Sequence, residues 1–199
     1  MTKANWWLVL ILALSLPDAV FAAVGCSLDD PDRDIARIFP DSTGYRTTFV
    51  TINDIGGKSL RQRVEQKLGD KLEPVYESLD VPYAYYTVLK GKEVIGYVHG
   101  VNQKGKFGAL QLVLATDQQE KIIDFYYQKI SSPESDKFRD PSFTVQFKSR
   151  SLADFLNGTP AINPPGQTYL EDFQATLRGV KKDLILLDEF LSAGKTKGD

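Results

Sequence analysis

Between residues 83 and 130 four apolar runs follow one another with only short polar breaks, and this stretch limits the fold more than any other part of the chain. Residues 83–89 (Tyr-Ala-Tyr-Tyr-Thr-Val-Leu) lead through Lys90-Gly91-Lys92-Glu93 into residues 94–101 (Val-Ile-Gly-Tyr-Val-His-Gly-Val). Aromatic and β-branched residues suit a pleated, half-buried surface, and a Lys-Gly-Lys linker suits a hairpin. Residues 107–115 and 121–130 form a second pair, joined by Thr116-Asp117-Gln118-Gln119-Glu120, a connection short enough for antiparallel neighbours. The pattern predicts a four-stranded antiparallel meander. Such a sheet can keep one face wet, so covering the other face is enough.

The covering elements are readable on both sides of the meander. Upstream, Pro31 and the acidic residues around it start a short helix that ends at Pro40, and residues 45–52 alternate as a strand. Leu60, Val64 and Leu68 fall at helical spacing before Gly69, which predicts an amphipathic helix over 59–68. Downstream, residues 131–136 read as a loop, Pro141 can open a helix, and residues 160–166 are a surface connector. Leu170, Phe173, Leu177, Val180, Leu184, Leu187 and Leu191 then recur in alternating steps of three and four, a period of 3.5, before Gly194 and a polar tail over 193–199. The seam has two readings. Either the helix covers the meander, or it pairs with a helix of another subunit. Three heptads are short for an autonomous coiled coil, which favours the first. The fold class is α+β, one domain over 27–192, with an antiparallel sheet packed by a long C-terminal helix and short N-terminal helices.

The N-terminus reads as a targeting segment over 1–23. Lys3 precedes an apolar run over 6–16, and Ala19-Val20-Phe21-Ala22-Ala23 supplies small residues for cleavage at about 22–25. Two processing routes stay open, because Ala23-Val24-Gly25-Cys26 also has the form of a lipobox that would place a lipid on Cys26. The apolar run is short for a spanning helix, which needs about 20 residues. Either route puts the mature chain on the extracytoplasmic side of the membrane, in the periplasm of a bacterial envelope.

Charge and residue inventory narrow the chemistry. With 24 Lys and Arg against 26 Asp and Glu, and no basic block, the chain lacks the electrostatic footprint of a nucleic-acid binder. One His and one Cys fall short of a four-ligand zinc site or an internal disulfide. No Ser-His-acid or paired-acid arrangement stands out, so hydrolysis has little support. His99 lies mid-strand, where a packed residue is commoner than a ligand. In the turn Asn102-Gln103-Lys104-Gly105-Lys106-Phe107-Gly108, two glycines and two lysines flank one aromatic. Such a turn can present backbone and positive charge to a phosphate or a flavin edge, or simply reverse the chain.

Residues 91–147 resemble the FMN-binding domain of the extracytoplasmic subunits of the Rnf electron-transport complex and the sodium-translocating NADH:quinone reductase. The hairpin over 90–98, the strand over 104–115, the turn over 117–123 and the segment Phe138-Arg139-Asp140-Pro141-Ser142-Phe143 carry the likeness, and residues 35–40 are similar to the family's opening. Members with covalent FMN have a Ser-Gly-Ala-Thr-x-Thr signature whose last Thr is esterified to the flavin phosphate. Here Ala175 and Thr176 match its middle, Phe173 and Gln174 replace Ser-Gly, and Arg178 stands at the acceptor position without a hydroxyl. Ser131-Ser132-Pro133-Glu134-Ser135-Asp136 stands in place of the family's Glu-Thr-Pro-Gly-Leu-Gly loop, and the two acids, Glu134 and Asp136, would repel a phosphate. The resemblance implies two functions. In one, the protein is an electron-transfer component that binds FMN noncovalently, with Gly105, Lys106, Phe107 and Gly108 against the ring, Ala175 and Thr176 beside it and Arg178 on the phosphate. Its partners are then subunits of a membrane redox complex. In the other, flavin is lost and the domain is a binding or assembly module of a cell-envelope complex that uses its sheet edge and C-terminal helix.

Overall fold

Strand alternation produces the meander with one strand more than its core pattern requires. The structure, a computed structural model, describes residues 27–196 apart from Thr159. The targeting segment, the lipobox with Cys26 and residues 197–199 lie outside the described residues. In chain order the elements are α1 (Pro31–Ile38), β1 (Gly44–Val50), α2 (Ile52–Ile55), α3 (Gly57–Leu68), β2 (Tyr83–Lys90), β3 (Glu93–Lys104), β4 (Ala109–Thr116), β5 (Ile122–Ile130), α4 (Ser135–Arg139) and α5 (Pro141–Thr144). A 3-10 turn (Val145–Phe147), α6 (Leu152–Leu156) and α7 (Leu170–Thr196) complete the described chain. The strands pair only with their sequence neighbours, all antiparallel, in the order β1-β2-β3-β4-β5. The fold is α+β.

Both faces of the sheet are covered, where one sufficed in principle. Tyr83, Tyr85, Val101, Leu110, Leu112, Leu114, Phe125 and Tyr127 point into the main core with α3 and α7. The alternate residues Ala84, Tyr86, Val88, Val98, Val113 and Ala115 meet Leu28, Ile35 and Phe39 in a smaller core under α1. The cause is in the runs themselves: β2 and β4 are apolar at odd and even positions alike, so each face needs a cover. Asp30 caps α1 by accepting from the Arg33 N–H, and Pro31 opens it. The helix ends at Ile38, ahead of Pro40, as its sequence requires.

Two helices differ from their sequence reading. The stretch 131–136 is not all loop, since α4 begins at Ser135, and α7 runs through Gly194 to Thr196. A lone glycine costs a helix about 1 kcal/mol, too little to stop one that is anchored along most of its length. Nor is α7 apolar along one face alone. Phe173, Leu177, Val180, Leu184, Leu187 and Leu191 of the seam are buried, but so are Ile185, Leu186 and Phe190, and with them the polar Asp172, Thr176, Lys182 and Asp183. The helix lies between the sheet on one side and α3 and α6 on the other. Its seam is consumed inside the protein.

Gly179 makes the closest approach of α7 to the sheet possible. A Cβ there would lie 2.1 Å from Leu112 Cδ1 and 3.2 Å from Gln103 Cβ.

Candidate functional site

The turn between β3 and β4 is pinned to the first turns of α7. Gly105 N–H donates to the Gly108 carbonyl at 2.8 Å, and Lys106 N–H donates to Asp172 Oδ1 at 2.8 Å. Lys106 Nζ lies 3.0 Å from Glu171 Oε2, and the half-exposed Phe107 ring meets Tyr169 edge-on at 5.1 Å. A Cβ on Gly105 would come within 2.8 Å of Asp172 Oδ1, so this glycine permits the close docking. Sequence reading therefore nominated two segments that do meet in space. What holds them together is Asp172, which the sequence did not single out.

Ala175 and Thr176 face inward. Ala175 packs against the main core, and Thr176 is fully buried. Its hydroxyl donates to the Asp172 carbonyl at 2.8 Å, so the Tyr127 hydroxyl, also 2.8 Å away, donates to it. Burial pushes the Tyr127 phenol well above its ordinary value.

Arg178 is about one turn further along α7 and faces the segment after α3. Its Nε donates to Asp70 Oδ2 at 2.8 Å. One terminal nitrogen donates to Glu77 Oε1 at 2.9 Å and Gln103 Oε1 at 2.8 Å, the other to the Lys71 carbonyl at 2.7 Å and Glu77 Oε2 at 3.2 Å. A guanidinium has five N–H donors, and these five contacts occupy them. The residue ties residues 70–77 to the sheet and to α7.

Behind Arg178 the polar cluster continues into the core. Lys182 Nζ donates to Glu77 Oε1 and, at 2.7 Å, to the Asn102 carbonyl. Glu77 and Lys182 are essentially without solvent exposure. Burial opposes ionisation of Glu77, yet Lys182 and Arg178 outweigh it and hold the carboxyl below its ordinary value. The next residue of α7 is Asp183, whose Oδ1 lies 2.8 Å from His99 Nδ1, both side chains fully buried. Burial raises the Asp183 carboxyl, with His99 acting in the opposite sense. Tyr83 packs against His99 and Phe190, and its phenol is raised by burial and by the nearby Glu77 and Asp183. The Tyr83 hydroxyl, His99 Nε2 and Asp183 Oδ2 lack hydrogen-bond partners among the described residues.

This cluster is enclosed. The clefts beside it, one lined by Leu68, Phe155, Gln174 and Lys181 and the other by residues 70–74 with Gln103 and Lys104, reach no deeper than Arg178. Among the described residues no group of His, Cys, Asp and Glu is arranged to hold a metal ion. A cleft of about 450 Å³ lies elsewhere, between α1 and β5, and its Arg37 is paired with Asp124 at 2.9 Å.

The polar groups nominated for FMN by resemblance are engaged within the protein. The Lys106 amide, the Thr176 hydroxyl and every donor of Arg178 already have internal partners. Glu134 adds a carboxylate in the following loop, paired with Lys137. No protein-family model matches the chain, and no curated protein matches it.

Proposed function

We propose that this chain is an extracytoplasmic binding or assembly module of a membrane-associated complex, built on the architecture of an FMN-binding domain and working without flavin. The observation that carries the reading is the saturation of Arg178. At the position where covalent family members carry the flavin-accepting Thr, this chain has a guanidinium whose five donors serve Asp70, Lys71, Glu77 and Gln103. A phosphate would have to displace two carboxylates to reach it. The extracytoplasmic placement rests on the N-terminal pattern of Lys3, an apolar run and small residues. Among the described residues no helix is long and apolar enough to cross a membrane, and the proposed routes of attachment are a lipid at Cys26 or a partner subunit.

The test is an absorption and fluorescence spectrum of the protein, exported by a host with flavin available, before and after acid precipitation and with added FMN. The expected protein is colourless and leaves free FMN fluorescence unchanged. Flavin bands released into the supernatant would replace this reading with a noncovalent electron carrier, and bands retained in the precipitate would overturn the reading of residues 173–178.

A further inference from the structure

The two edges of the sheet are treated differently. At the β5 edge, Ile122 N–H donates to the Arg150 carbonyl at 2.8 Å and Ser149 N–H returns to the Ile122 carbonyl at 2.7 Å. Arg139 donates to the Tyr127 carbonyl at 2.5 Å, and α4, α5 and the 3-10 turn pack alongside. That edge is closed. At the other edge β1 pairs with β2 over all seven of its residues without a bulge, and among the described residues no other helix or strand packs extensively against it. Its sequence, Gly-Tyr-Arg-Thr-Thr-Phe-Val, has no proline and no lysine, so the one charge, Arg46, is the only device of the kind that ordinarily blunts an edge. Phe49 is 69% exposed, the most exposed of the large apolar side chains among the described residues.

We infer that β1 is a homodimerisation strand, pairing antiparallel with β1 of a second copy to join two sheets across a two-fold axis. The strand is self-complementary. An axis perpendicular to the sheet keeps each face on its own side, so residues directly opposite must share a face. The one register that pairs all seven residues under that condition puts Thr47 on the axis. Tyr45 then lies opposite the partner's Phe49, Arg46 opposite the partner's Thr48, and Gly44 opposite the partner's Val50. Tyr45 and Phe49 face the α1 side, since they oppose Val88 and Ala84 of the smaller core. Tyr45 is already fixed by an edge-on contact with Tyr86 at 5.7 Å and by its hydroxyl, which donates to Asp32 at 2.8 Å. It offers a rigid surface to the incoming ring, twice per dimer, and aromatic cross-strand pairs are among the favourable ones. The lone charge, Arg46, lies directly opposite a hydroxyl, with its own copy only on the diagonal, about 7–8 Å away. Lysine on such an edge would have repelled a second copy, and none is present.

This inference is independent of whether flavin binds. It is tested on the full chain carrying Cys26→Ser, so that an introduced cysteine is the only thiol. In the Thr47→Cys chain the paired Cα atoms would be about 4.5–5.5 Å apart, within disulfide reach, whereas Thr48→Cys places them on a diagonal of about 7–8 Å, beyond it. The expected result is a disulfide dimer forming at least about tenfold faster at position 47 than at 48 under mild oxidation. Sedimentation of the unmodified chain should show a concentration-dependent dimer, and Phe49→Arg should abolish it while melting like the parent at a dilution where the parent is monomeric. A chain that stays monomeric to about 100 µM, or cross-linking equal at both positions, overturns the inference and assigns the edge to an extended segment of another protein or to residues 1–26 of this chain.

Discussion

Glu77 illustrates what single residues do in this molecule. It sits in an irregular segment, yet it accepts from Arg178 and Lys182 together and so holds residues 70–77 against the long helix. Removing one member of a buried ion pair strands the other. Lys182→Met should cost about 3–5 kcal/mol in urea unfolding, and the double replacement Glu77→Gln with Lys182→Met should recover part of that loss. A recovery of nothing would mean that Lys182 acts through the Asn102 carbonyl alone. Closer to the surface, Glu65 accepts from Lys71, Arg61 and the Leu72 N–H, and these hold its carboxyl from an ordinary 4.5 down to about 2. The pKa is depressed in the folded state, so the stabilisation is complete above 4.5 and is lost as pH falls toward 2. Glu65→Gln should accordingly melt below the parent at pH 7, with the gap closing through that acid window. A gap that stays constant with pH would contradict the assignment. Apart from Arg61 with Glu65, four residues apart on one predicted helix, none of these pairings was legible in the sequence. His99 and Asp183 are 84 residues apart, and a lone His on a strand gives no signal of which carboxylate will reach it.

At the scale of elements, the strands were legible because short runs of β-branched and aromatic residues bounded by polar turns are a local signal, and each strand pairs with its neighbour in sequence. Helix α3 was legible for the same kind of reason, with Leu60, Val64 and Leu68 on one face and Gly69 as the left-handed cap. Helix α7 was legible as a helix but not as a central one. Asp172, Thr176, Lys182 and Asp183 look like a solvated back to a period count, because the partners that pay for their burial lie on other elements. The short helices α2 and α6 were missed although each has a capping box, Thr51 with Asp54 and Ser151 with Asp154, and that spacing was the available signal. The packing of α7 makes a prediction of its own. Gly179→Ala should destabilise the protein by about 1–3 kcal/mol in chemical denaturation, since the new methyl would overlap Leu112. On an exposed helix face the same change would stabilise, so the sign alone decides whether α7 sits this close to the sheet.

For the whole molecule, the organising fact is that a sheet apolar on both faces is clad on both, by α1 on one side and by α7 with α3 on the other. Resemblance placed FMN at the junction of the 105–108 turn and the start of α7, and that junction is where the chain has put its own carboxylates and Arg178. One cannot read this substitution from the motif alone. Arg178 is as compatible with a phosphate as with an acid cluster until Asp70 and Glu77, about a hundred residues upstream, are seen to reach it. The central claim is therefore that Arg178 is a structural tie rather than a ligand residue. Urea unfolding of the parent and of Arg178→Met, each with and without FMN, tests it most directly. The account predicts a loss of about 3–5 kcal/mol in the variant and no shift of either midpoint with FMN. A variant as stable as the parent, with a parent midpoint that rises when FMN is added, would contradict it.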